Sequence, residues 1–159
     1  MYRSTRTALD SFLYNHQIMK LTHAVIAAMA TVGLGTTLSS QEVQSVWSGI
    51  YTEEQAGRGK PLYNQECSEC HGLALEGAEM APALANDDFR WNWNGLSVGD
   101  LFERMRVSMP QDNPLGMTRS DKADVLAYIL QQNEFPTGDS ELLDRTEQLT
   151  PIMIEAVKP

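Results

Sequence analysis

Two cysteines and the histidine beside one of them set the chemistry open to this chain. Cys67-Ser68-Glu69-Cys70-His71 is a Cys-x-x-Cys-His pattern, in which two thiols add across the vinyl groups of a haem and the next residue offers its imidazole to the iron. The spacing has a chemical reason: two intervening residues separate the sulfurs by the distance between the vinyls, and the adjacent His projects beneath the ring. Other uses of these residues are weaker. A disulfide across so short a span is strained, and zinc would find Cys67, Cys70 and His71 without a soft fourth ligand. A thioredoxin-like dithiol calls for a preceding strand and a Trp or Pro context, neither of which is present. The pattern therefore predicts one covalent haem c, anchored by Cys67 and Cys70, with iron ligated by His71.

Leu21 to Gly35 is an apolar run of 15 residues rich in small side chains, preceded by Lys20 and followed by polar Thr36 to Gln41. That layout predicts a secretory signal peptide, and the run is shorter than the ~20 residues of a bilayer-spanning helix. An uncleaved anchor is the alternative. Thr37 and Ser39 are spaced for cleavage after Ser39, and no cysteine nearby could carry a lipid. Residues 1–18 read as an upstream extension, since Met19-Lys20 makes the better start. The expected organisation is a leader over residues 1–39 and one domain over 40–159, with a tail from about residue 139, delivered to the periplasm where such haems are attached. The whole chain, 159 residues and 17.7 kDa, excludes a large multidomain enzyme. From residue 40 onward, 9 basic and 20 acidic residues leave a net charge of −11, the wrong sign for nucleic acid or anionic lipid. Membrane contact is expected only through an uncleaved leader.

The same cut removes His16 and His23, so His71 cannot share the iron with a second histidine of the chain. Five methionines compete for the sixth position: Met80, Met105, Met109, Met117 and Met153. Met105 stands at helical spacing from Leu101 and reads as core, Met117 reads as a hydrophobic staple before a helix start, and Met153 lies in the tail. Met109 differs, because Pro110 pushes it out of helical geometry onto a loop after a helix. Met80 is the runner-up, only nine residues after His71.

The chain resembles the class I monohaem c-type cytochromes over about Val46 to Leu142. Gly59-Lys60-Pro61-Leu62-Tyr63 is similar to the family's first helix, where a Gly and an aromatic residue meet the last helix. Ser108-Met109-Pro110 falls 38 residues after His71, where the family keeps its axial Met. Ala123-Asp124-Val125-Leu126-Ala127-Tyr128-Ile129-Leu130 resembles the C-terminal helix with its packing Tyr. Pro82-Ala83-Leu84 resembles the family's Pro-x-Leu, which implies that the Pro82 carbonyl accepts the other ring proton of His71 and fixes its orientation. A turn proline without that role is the alternative. Phe89 to Gly95, with Trp91 and Trp93, looks most like the small cytochromes that accompany periplasmic quinoprotein dehydrogenases. The implied architecture is all-α, a cytochrome c fold of three to five helices around one haem. Pro61 departs from the pattern and suggests a first helix that starts late, near Gly59, or kinks there.

The positioning elements read as helices without strand-like alternation. Thr52 with Gln55 predicts a capping box for the first, Ser97 with Asp100 one for a helix to about Val107, and Thr118 with Asp121 one for a helix to about Asn133. A long loop from Gly72 to Leu96 is expected to wrap the haem edge, and residues 139–159 to form a short packed helix. Trp91, Trp93 and Arg104 are candidate donors to buried haem propionates, with plain packing equally open to the tryptophans and Arg90 a weaker candidate. These readings predict a one-electron carrier rather than an enzyme. It would take electrons from a periplasmic dehydrogenase, a quinoprotein among the candidates, and pass them to an oxidase or another cytochrome. A peroxidase-like haem enzyme and a gas-binding sensor, each with a labile sixth ligand, are the competing classes.

Overall fold

The computed structural model describes residues 43–79 and 81–159. The predicted leader over 1–39, its boundary, and Met80 lie outside the described residues. Helix α1, Glu53–Glu66, begins where Thr52 accepts a bond from the Gln55 backbone N–H at 3.1 Å. Only half of the expected capping box forms. The Gln55 amide is buried and turns inward instead, donating to the Leu142 carbonyl at 3.0 Å and accepting from the Leu142 N–H at 2.7 Å. The late start expected from Pro61 is not found, because the helix runs through it. Pro61 and Gly57, whose carbonyl the proline leaves without an amide partner, are both exposed, so water can satisfy that group.

A single turn, α2 (Ser68–His71), follows at once and ends at Gly72 with φ 78°. The span from Gly72 to Leu96 is not one loop, as expected, but contains the helix α3, Asn86–Trp93. Its start carries no side-chain cap signal: Ala85 is the N-cap and Asn86 has φ 67°. Asp87 and Asp88 favour the positive end of its dipole, and Phe89 is its buried anchor. Helices α4 (Val98–Ser108) and α5 (Arg119–Gln132) have the complete capping boxes of Ser97 with Asp100 and Thr118 with Asp121. Helix α5 ends before Pro136, with Glu134 at φ 64° and the Phe135 N–H returning to the Leu130 carbonyl at 3.2 Å.

The tail contributes the four-residue helix α6, Thr146–Leu149, and a strand that the sequence pattern did not suggest. Strand β2 (Ile152–Met153) pairs in parallel with β1 (Gln44–Ser45), Gln44 opposite Ile152. The fold is mostly helical, with six α-helices among the described residues instead of three to five, two of them single turns. None of these helices is long and apolar enough to cross a membrane.

The core gathers around α5, whose residues from Lys122 to Leu130 are all buried, so it is covered on every side. Helix α1 crosses it closely. A Cβ on Gly59 would stand 1.9 Å from the Asp124 carbonyl oxygen, and one turn later the Tyr63 ring meets that of Tyr128 at 5.4 Å. Arg58 fastens the crossing with a bidentate bond to Asp124 at 2.9 and 3.0 Å and reaches Glu141 at 2.9 Å.

Candidate functional site

The Cys-x-x-Cys-His segment occupies the junction between α1 and α2. Cys67 closes the first helix with its N–H on the Tyr63 carbonyl and opens the second, so Cys67, Cys70 and His71 share one turn. Both thiols are free, Cys67 half-buried and Cys70 exposed. Burial, with the Glu66 carboxylate beside it, pushes the Cys67 thiol up to about 11, so it is held as the neutral thiol.

His71 is only 7% exposed, and its Nδ1 lies 2.8 Å from the Pro82 carbonyl oxygen. A carbonyl can only accept, so Nδ1 carries a proton and Nε2 is the ring nitrogen left for a ligand role. The surrounding turn is held on several sides. The Tyr63 hydroxyl donates to the Gly72 carbonyl at 2.7 Å, and the Gly77 N–H to that of His71 at 2.8 Å. Asn133, at the end of α5, donates its side-chain amide to the Leu84 carbonyl at 2.8 Å, which pins the segment carrying Pro82 to the core helix. Its Oδ1 is buried without a partner.

Met109 is the C-cap of α4, in extended conformation, with its N–H on the Met105 carbonyl at 3.0 Å. What holds this segment is a residue that the sequence reading missed. Lys122, 2% exposed, sends its Nζ to the carbonyls of Met109 and Pro114 at 2.6 Å each, of Met105 at 3.1 Å and of Arg106 at 3.2 Å. Among the described residues no carboxylate pairs with it. Burial, with Arg106 adding to it, pushes its pKa down. A lysine between acidic residues on a capped helix reads as solvated; only the depth of α5 in the core reveals otherwise.

The remaining candidates are not gathered. Trp91 and Trp93 lie on α3, the first 61% exposed and the second half-buried with its ring 6.4 Å from that of Phe89. Arg104 is exposed on α4 and makes no ion pair among the described residues. Arg90 is occupied by Asp87 at 2.6 Å and Glu134 at 3.6 Å. A cleft of about 490 Å³ is lined by residues of 44–50, 138–143 and 148–152 and shares none with the cysteine turn.

Large apolar side chains stand uncovered next to the chemistry. Leu73 follows His71 by two residues, Val107 precedes Met109 by two, and Leu115, the most exposed at 89%, lies beside the Pro114 carbonyl that Lys122 holds. Two free thiols, an imidazole with Nε2 available and apolar surface on both flanking segments fit a large, flat, apolar group attached through sulfur.

Residues 54–129 match the family described as cytochrome C oxidase, cbb3-type, subunit III. Over 95 residues, 50% of this chain, the sequence is 28% identical to a Cbb3-type cytochrome c oxidase subunit CcoP of Azospirillum brasilense, covering 31% of that protein. Over 55 residues, 35% of this chain, it is 33% identical to the subunit of the same name in Azospirillum sp. (strain B510), covering 18% of it. The chain thus spans less than a third of the length of these curated relatives. No solved structure matches it. These matches support a c-type cytochrome, and a cytochrome c domain implies covalently bound haem c with iron.

Proposed function

We propose that this chain is an exported one-electron carrier, with haem c attached at Cys67 and Cys70 and its iron between His71 and Met109. The observation that carries the reading is the His71 imidazole, buried in the Cys-x-x-Cys-His turn with Nδ1 bound to the Pro82 carbonyl. Bound haem supplies a reversible ferric–ferrous couple, whose potential thioether ligation raises. The protein's work is then positional. Pro82 fixes which ring nitrogen of His71 is available and where it points, Tyr63 and Gly77 hold the turn, and Asn133 ties the Pro82 segment to α5. Were both His71 and Met109 to hold the iron, no position on it would be left for a substrate, which favours a carrier over an enzyme. Trp91, Trp93 and Arg104 belong to this reading as donors to propionates, the role for which their N–H groups suit them.

The relatives' description as oxidase subunits favours the cbb3-type oxidase as the respiratory partner, on the acceptor side of a periplasmic dehydrogenase. The leader over residues 1–39 would deliver the domain to that compartment. An optical redox titration of the exported, haem-loaded protein beside Met109→Ala and Met80→Ala tests the ligand set. The expected result is a low-spin spectrum with a far-red sulfur-to-iron band, lost together with the high potential only in Met109→Ala. A high-spin or gas-binding iron in the unmodified protein overturns the reading and points to a peroxidase-like enzyme or a sensor.

A further inference from the structure

We propose that Lys122 is a positioning residue that holds the Met109 segment in place for iron ligation, by gathering four backbone carbonyls onto one buried ammonium. The inference rests on the reading of Met109 as the axial ligand. Its geometry does not. An ammonium has three protons, and four carbonyls surround this one at 2.6 to 3.2 Å, so every proton is used and one is shared. The four belong to two places: Met105 and Arg106 are in the last turn of α4, the first already accepting from the Met109 N–H and the second left without an i+4 donor because Pro110 has no N–H, and Met109 and Pro114 are in the loop beyond it. One side chain from the first turn of α5 therefore closes the end of α4 and cinches the loop that follows.

The cost of this arrangement argues that it serves a purpose. Lys122 lies on the core helix next to Ala123, Val125 and Leu126, a position where an apolar side chain would pack without desolvating a charge. Among the described residues no carboxylate offsets the cation; the carbonyls do, helped by the negative end of the α4 dipole. The two shortest bonds, 2.6 Å each, go to the loop and not to the helix. The loop has few other backbone ties among the described residues: the Met109 N–H to the Met105 carbonyl of α4, and, internal to the loop, Asn113 N–H to the Pro110 carbonyl and Gly116 N–H to that of Asn113. Remove the ammonium, and the Met109 carbonyl loses its link to α5 while the helices keep their own caps and core contacts.

Two variants of the haem-loaded protein separate this role from packing. Lys122→Met keeps the stem and removes all three donors; Lys122→Gln keeps a shorter polar donor that reaches fewer carbonyls. The readouts are the far-red sulfur-to-iron band and the reduction potential, followed through a urea titration, with far-ultraviolet circular dichroism on the same samples. Positioning predicts that the band disappears at lower urea than helix content does, earliest in Lys122→Met, then in Lys122→Gln and last in the parent, and that the potential falls in the same order. If Lys122 only fills space, the apolar Met variant keeps the band and potential of the parent and Gln is the worse of the two, which overturns the proposal. A band that survives Met109→Ala instead overturns the ligand assignment beneath it, so the two failures are distinguishable.

Discussion

Glu103 shows how one half-buried side chain can join two helices. Its carboxylate accepts from the Arg106 guanidinium at 2.8 Å and from the Thr146 hydroxyl at 2.8 Å, linking α4 to α6. Those bonds, Arg106 first and Thr146 second, hold its pKa down from 4.5 to about 2. A depressed carboxyl contributes stability that is complete above the unfolded value and is lost as pH falls through the folded one, here between about 4.5 and 2. Glu103→Gln is therefore expected to flatten the decline of unfolding free energy across that window, leaving a constant difference from the parent above about pH 5. Urea titrations at stepped pH measure it, and parallel profiles would show that the carboxylate carries no such linkage. Residues of this kind differ in how far sequence exposes them. The Cys67 to His71 pattern is legible because its chemistry depends on chain spacing alone. Lys122 is not, because its environment is made by carbonyls from 8 to 17 residues away and by the depth of its helix.

Between elements, the closest approach is where α1 crosses α5. A methyl added at Gly59 meets the Asp124 carbonyl oxygen at 1.9 Å and its carbon at 2.5 Å, both backbone atoms that can yield only if the helices part. Gly59→Ala should cost about 3 kcal/mol, the upper end of ordinary overpacking. Gly57→Ala on the same helix meets nothing within 4 Å and should be neutral or gain up to about 1 kcal/mol from helix propensity. Thermal melts of the pair decide the matter: equal shifts would mean that the crossing has slack. The elements legible in sequence were those whose starts are written in side chains, as at Ser97 with Asp100 and Thr118 with Asp121. Helix α3 escaped because Ala85 caps nothing and the turn into it is made by the backbone of Asn86. The pairing of β1 with β2 escaped for another reason, since two-residue strands 108 positions apart have no periodicity to read. Gln55 misled in the opposite direction: its spacing from Thr52 is that of a capping box, but burial gave its amide a better pair of partners at Leu142.

At the scale of the whole molecule two charge patterns compete. From residue 40 onward the chain carries −11, with Glu53, Glu54, Glu69, Glu76, Asp87 and Asp88 all exposed. Yet Arg104, Arg106, Arg119 and Lys122, four of its nine basic residues, fall between residues 104 and 122, against Asp112 and Asp121 there and Glu103 paired with Arg106 at the edge. Which pattern a redox partner feels depends on distance. At 0.01 M salt the Debye length is about 30 Å, longer than the domain's radius, and the global negative charge governs; at 0.1 M it is about 10 Å and local groups weigh more. A small cationic complex such as hexaammineruthenium should then exchange electrons fastest at low salt and slow as salt rises from 0.01 to 0.1 M, while ferricyanide speeds up over the same range. Stopped-flow rates with the two reagents check the sign of both slopes. Opposed slopes of this sense would assign the encounter to the acidic surface and a physiological partner with basic groups at its docking face. Reversed slopes would assign it to the arginines flanking Met109, and the partner's face would then have to be acidic.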